Sequence, residues 1–194
     1  MKHLFVIGLM SLIGNLSLSQ KLSNSIVYYD WEVAVNSSPD TIYGIDLSKK
    51  KLEELPYKLF QFTNLQGLKL SKNRLTSLPE SFKYLNNLEF LYLNKNEFQY
   101  FPTSVFYLEK LHYLDISRNE ISSIPKGIKN LTQLEYLDAW DNLFTFIDPE
   151  FALLQQLKFI DLRGTTFSVD LVEKWTNAFP DSTIKFDKPC KCLH

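Results

Sequence analysis

Cysteine is almost missing from this 194-residue chain: its two copies, Cys190 and Cys192, sit at the extreme C-terminus in a C-x-C spacing. That excludes the disulfide framework by which small secreted folds hold themselves together. The pair reads as two exposed thiols or one short-loop disulfide, because a metal site needs two further ligands and only Asp187 and His194 lie near in sequence. Histidine is equally scarce, with three copies. His3 belongs to the leader described below and His194 to the tail, which leaves His112 alone on the body of the chain and no His-centred nucleophile to assemble. The six glycines form no phosphate-cradling loop, and neither HExxH nor paired CxxC motifs occur. No enzymatic activity and no cofactor are expected. Charge of one sign is lacking too: 21 basic residues face 22 acidic ones, so no global field draws in nucleic acid or an anionic membrane.

Long hydrophobic runs are also missing, with one short exception. Leu4 to Ile13 follows the basic start Met1-Lys2-His3 and precedes small residues at Ser17 and Ser19. Broken by Ser11 and then by Gly14-Asn15, it falls short of the roughly 20 residues that span a bilayer. It reads as a signal peptide over residues 1–19, cleaved after Ser19. The mature chain is therefore expected to be secreted, periplasmic or at the cell surface, with no membrane span.

What the sequence has in abundance is self-similarity. A 23-residue period places Leu65, Leu88, Leu111, Leu134 and Leu157 in register, with Ile42 one period earlier. Each unit reads LxxLxLxxNxLxxLPxxφxxLxx, in which the leucines at positions 1, 4 and 6 alternate as a short strand does, with positions 3, 5 and 7 facing out. Units of this size cannot bury their own apolar face and must stack, which makes the strands a parallel sheet. Position 9, occupied by Asn73, Asn96, Asn119 and Asn142, both donates to and accepts from backbone groups left open by the turn, so a buried amide ladder is expected. Pro56, Pro79, Pro102 and Pro125 at position 15 fix φ where the chain turns to the other side. Leu59, Phe82, Val105, Ile128 and Phe151, with Phe62, Leu85, Leu108, Leu131 and Leu154, close the core from there.

On these motifs the chain resembles the leucine-rich repeat family, in its 23-residue Leu-Pro class of Ras-suppressor-type and bacterial repeat proteins, from Ile42 to about Phe167. The resemblance implies an α/β solenoid: a right-handed horseshoe with short parallel strands on its concave face, short helical or irregular segments on its convex face, and shielded ends. The expected organisation is an N-terminal cap over 20–41, five full units and a partial sixth over 42–167, a C-terminal cap helix and strand over 168–186, and a flexible tail over 187–194. Ser168 is the expected N-cap of a helix carrying Leu171, Val172, Trp175 and Phe179, stopped by Pro180. Lys50 and Thr165 replace the ladder Asn at the ends, and irregularity is expected in the fifth unit, which has Ala139 at position 6 and Asp148 before Pro149.

The outward columns single out a surface. Position 3 runs Gly44, Gly67, Phe90, Tyr113, Tyr136, Phe159, small in its first half and aromatic in its second. Tyr92 at position 5 and Trp140 at position 7 extend that patch. Such a set is either cohesive, since cross-strand aromatic pairs contribute about 0.2 to 1 kcal/mol each, or a binding surface. Its confinement to an otherwise solvated face favours binding, as does a Trp where other units place Ser48, Ser71, Asn94 and Ser117. Position 8 is basic through Lys49, Lys72, Lys95 and Arg118 and reverses at Asp141. Position 5 stacks Asp115, Asp138 and Asp161, a repulsion that Arg118 and Arg163, a cationic partner or a bound cation would offset; His112 is read as a surface residue.

The function expected is a non-catalytic protein- or peptide-binding module centred on Phe90, Tyr92, Tyr113, Tyr136, Trp140 and Phe159, with Asp115, Arg118, Asp138 and Asp161 setting register. The alternatives are a carbohydrate-binding surface protein, since aromatic platforms flanked by Asp and Arg also suit sugar rings, and a structural envelope protein without a ligand. On the binding reading, Trp140→Ala and Tyr113→Ala each weaken capture by more than about 1 kcal/mol without early melting.

Overall fold

The computed structural model describes residues 25–188. The leader, the start of the N-terminal segment, both cysteines and His194 lie outside that span. Six of the repeat units contribute a three-residue strand at positions 3 to 5: β2 (Gly44–Asp46), β3 (Gly67–Lys69), β4 (Phe90–Tyr92), β5 (Tyr113–Asp115), β7 (Tyr136–Asp138) and β9 (Phe159–Asp161). All pair in parallel, position against position, as in Gly67 with Phe90 and Phe90 with Tyr113. Two further strands extend the sheet at its ends, β1 (Tyr29–Asp30) beside β2 and β10 (Thr183–Lys185) beside β9, which gives eight strands in all. A separate two-stranded sheet pairs β6 (Ser123–Ile124) with β8 (Phe146–Ile147).

Proline and asparagine do what their chemistry dictates. Pro56, Pro79, Pro102 and Pro125 each precede a five-residue 3-10 helix, with φ between −63° and −86°. The position-18 amide then donates to the proline carbonyl, for example Phe82 N to Pro79 O at 3.0 Å, the i→i+3 bond that defines this tighter helix. Position 9 forms the expected ladder: Asn119 donates Nδ2 to the carbonyls of Ile116 at 2.8 Å and Leu93 at 3.2 Å, while its Oδ1 accepts from Phe98 N at 3.2 Å. Asn73, Asn96 and Asn142 repeat the pattern.

The irregularity expected in the fifth unit does not occur. Strand β7 keeps register with both neighbours, and Asp148 takes over the proline position with φ −61°, capping the next 3-10 helix by accepting from Glu150 N at 2.9 Å. A carboxylate that fills an orphan donor starts the turn as well as a fixed φ does. Between the sheet and the 3-10 helices, the leucine and phenylalanine columns form one continuous core, with Leu68, Leu91, Leu114, Phe82, Val105 and Phe151 all fully buried.

At the N-terminal end a short helix α1 (Trp31–Ala34) sets Trp31 edge-on to Phe62 at 6.2 Å. At the other end α2 (Val169–Ala178) starts at Ser168, whose side chain accepts from Leu171 N. Its Trp175 meets Phe151 edge-on at 5.4 Å.

Candidate functional site

Positions 3 and 5 of every strand project from the outer face of the sheet, opposite the core, so these columns read from the sequence become adjacent rows of side chains. Tyr113 and Tyr136 stack at 6.4 Å with 25° between their planes, Tyr136 and Phe159 at 6.3 Å with 24°, and Tyr92 leans on Tyr113 at 5.0 Å. Tyr92, Tyr113, Tyr136, Trp140 and Phe159 are each half-buried. The rings of Tyr92, Tyr113, Tyr136 and Phe159 form one aromatic ribbon rather than separate platforms, and Trp140 stands on the same face with the Arg118 guanidinium on its ring.

Phe90 requires a correction. It lies on the outer face yet is 0% exposed and takes no part in the core cluster, so it is no free contact residue. The cause is the glycine half of the column. A Cβ on Gly44 would meet Ile26 and the Val27 backbone, and one on Gly67 would come 2.5 Å from the Tyr28 hydroxyl oxygen. The N-terminal segment therefore lies across the first two strands, with Tyr28 seated on Gly67, the register neighbour of Phe90. Phe90 stands in register between Gly67, which carries that ring, and Tyr113. Sequence reasoning missed Tyr28 because it stands outside the repeat period, although the two glycines signalled that something must lie close to the backbone.

The carboxylate column is assembled as read but compensated differently. Asp115 and Asp161, expected among the residues that set a partner's register, are nearly fully buried. Asp115 accepts from both the amide and the hydroxyl of Ser117, at 3.0 and 2.7 Å. Asp161 accepts a fork from Arg163, Nε to Oδ1 at 2.9 Å and Nη2 to Oδ2 at 2.6 Å. Arg118 does not serve the column: it pairs with Asp141 at 3.8 Å and lays its guanidinium 4.3 Å from the Trp140 ring centre. Asp138 is left with the Trp140 amide at 3.4 Å. Burial first, then the neighbouring Asp115 charge, pushes its pKa up to about 7, and burial likewise raises that of Asp115. Burial and the adjacent carboxylates raise the Tyr113 phenol too, so it stays protonated and able to donate.

Cations of the chain itself sit on the ends of the ribbon. Lys69 Nζ lies 3.7 Å from the Tyr28 ring centre and Lys185 Nζ 4.9 Å from that of Phe159. The column at position 8 has an unforeseen backbone conformation: Lys49, Lys72, Lys95, Arg118 and Asp141 all adopt φ between 55° and 61°, and Gly164 in the sixth unit 83°. Only that glycine hinted at it. His112 is half-buried, with Nδ1 2.7 Å from the Lys110 carbonyl. Among the described residues no cluster of His, Cys, Asp or Glu could hold a metal ion, and no helix is long and apolar enough to cross a membrane.

Many solved structures share this architecture, three of them bacterial leucine-rich repeat proteins. An internalin F from Listeria monocytogenes aligns with TM-score 0.66 and 19% identity over 89% of this chain and 51% of its own. An internalin C2 from the same organism gives 0.62 and 22%, over 76% and 62%. A leucine-rich repeat protein of Leptospira interrogans gives 0.62 and 22%, over 76% and 43%. The chain thus spans less than two thirds of each, and at these identities the likeness is one of fold. No curated protein matches it in sequence. The family model for a leucine-rich repeat region matches residues 45–188, and with the leucine strands, asparagine ladder and 3-10 backs in place, the chain belongs to the leucine-rich repeat family.

Proposed function

We propose that the chain is a non-catalytic protein- or peptide-binding module acting outside the cytoplasm, through the outer face of its sheet between β4 and β9. Stacked parallel strands give solenoids the extended surface they use for partners. The observation that carries the reading is the half-buried set of Tyr92, Tyr113, Tyr136, Trp140 and Phe159 on a face that, in β2 and β3, the protein covers with its own Ile26, Val27 and Tyr28. Rigid aromatic groups bury much area at little entropy cost, which is why they dominate binding hot spots. The ribbon suits a protein better than a sugar, because Tyr113, Tyr136 and Phe159 turn their faces to one another. A saccharide ring stacks on an open aromatic face.

The test is affinity capture from an extracellular fraction with the chain lacking residues 1–19, beside its Trp140→Ala variant. A protein retained by the first and lost by the second is the expected result. Capture unchanged by the variant counts against this face, and retention of glycans alone on an array transfers the site to the carbohydrate reading.

A further inference from the structure

The 3-10 helices behind the sheet bring two exposed rings to one place. In Glu80–Tyr84 and Thr103–Tyr107, the residues at positions 18 and 21 are fully buried, Phe82 with Leu85 and Val105 with Leu108. Three residues per turn then send position 20 outward, and Tyr84 and Tyr107, one repeat apart, are 58% and 61% exposed. Other units place Gln61, Asn130 and Leu153 there. The two tyrosines line a cleft of about 460 Å³ together with residues of the turns that follow them, a size within the roughly 300 to 1,000 Å³ of small-molecule sites. Neither ring is stacked on another aromatic side chain among the described residues. Lys83 Nζ, held by Glu80 at 2.6 Å, stands 5.7 Å from the Tyr84 ring centre.

The walls of the cleft are polar. Lys110 Nζ donates to Asn87 Oδ1 at 2.7 Å and Asn87 Nδ2 to the Thr63 carbonyl at 2.8 Å, which holds that amide in place. Asn86 and Glu109, both at position 22, also line the cleft. Their side chains have no hydrogen-bond partner among the described residues.

We propose that this cleft is a saccharide subsite that takes one neutral pyranose ring of a glycan chain. Such a ring presents a C–H face that lies on an aromatic side chain, and a rim of hydroxyls that both donate and accept. The open tyrosines meet the face; Glu109 accepts, Lys110 donates and Asn86 does both at the rim. Charge selects a neutral sugar. Both lysines are already engaged, Lys83 by Glu80 and Lys110 by Asn87, and the Glu109 carboxylate repels a uronate or a sulfate. The outer sheet face offers no such opening, because its rings turn to one another, so this second site goes beyond the protein-binding reading and stands apart from it.

An array of immobilised cellotetraose, mannotetraose, galactotetraose and chitotetraose, beside oligogalacturonate and a sulfated oligosaccharide, tests this. It is probed with the parent chain, Tyr84→Ala, Tyr107→Ala, Tyr107→Phe and Trp140→Ala. At least one neutral tetrasaccharide is expected to bind the parent, Tyr107→Phe and Trp140→Ala alike. Titration calorimetry with that sugar is expected to show binding weaker by about tenfold or more in Tyr84→Ala and Tyr107→Ala, both melting with the parent because the truncated side chains are exposed. Retention confined to the acidic oligosaccharides overturns the subsite, as does retention that ignores both tyrosines. A glycan lost in Trp140→Ala belongs to the outer face and overturns it as well, and so does a parent that binds none of the probes. Protein capture through Trp140 is read separately, so the outer face stands or falls on its own test.

Discussion

At the scale of single residues, Trp140 and Tyr113 separate although the sequence treats them alike. Tyr113 is wedged between Tyr92 and Tyr136, so truncation removes two ring contacts and leaves a hole in the ribbon. Tyr113→Ala is therefore expected to cost about 2 to 3 kcal/mol of stability, and loss of binding in that variant says nothing by itself. Trp140 carries the Arg118 guanidinium on its ring. Its removal is expected to cost less than about 1 kcal/mol in a denaturant titration. Asp138 gives a pH signature. Its carboxyl keeps its proton to about pH 7 in the fold but loses it near pH 4 in the unfolded chain. Over that window the unfolded state alone gives up a proton, so stability falls as pH rises and levels off above about 7. Asp115, raised in the same direction, adds to the fall, and Arg163 opposes it. Asp138→Asn is expected to flatten the decline and to melt above the parent at pH 8. An unchanged slope in melting curves between pH 4.5 and 8 contradicts the assignment.

At the scale of elements, the columns that were legible in the sequence are those demanded by backbone geometry. A strand needs alternation, the turn after it needs a donor and acceptor at position 9, and the 3-10 helix needs a fixed φ at position 15. Each therefore recurs as Leu, Asn and Pro. Replacing one ladder amide checks the weight of this: Asn119→Ala strips partners from Phe98 N and from the carbonyls of Leu93 and Ile116. A loss of about 3 kcal/mol is expected, read as a lower urea midpoint at unchanged m-value. What was not legible depends on contacts outside the period. Lys and Arg at position 8 conceal a left-handed backbone, and Gly67 is matched to Tyr28, which stands outside the repeat period. Gly67→Ala is expected to lift Tyr28 from the sheet and speed amide exchange along β1, because a Cβ there meets the Tyr28 ring within 3 Å. Protected β1 amides in that variant would show that the ring can shift without releasing the strand.

At the scale of the whole molecule, the period made the solenoid predictable, since no other arrangement buries units of this size. The division of the sheet's outer face was only half predictable. The position-3 column marked where aromatics concentrate, but not that the N-terminal segment folds over its glycines, nor that Phe90 is buried. The remaining ribbon spans β4 to β9, flanked by cations the chain provides and centred on carboxylates it leaves short of them. The most direct test is the affinity of the captured partner for the parent and for Trp140→Ala by titration calorimetry, with melting of both recorded in the same buffer. At least a tenfold loss of affinity, about 1.4 kcal/mol, with nearly coincident melting curves is the expected result. Equal affinities for the two proteins contradict the account.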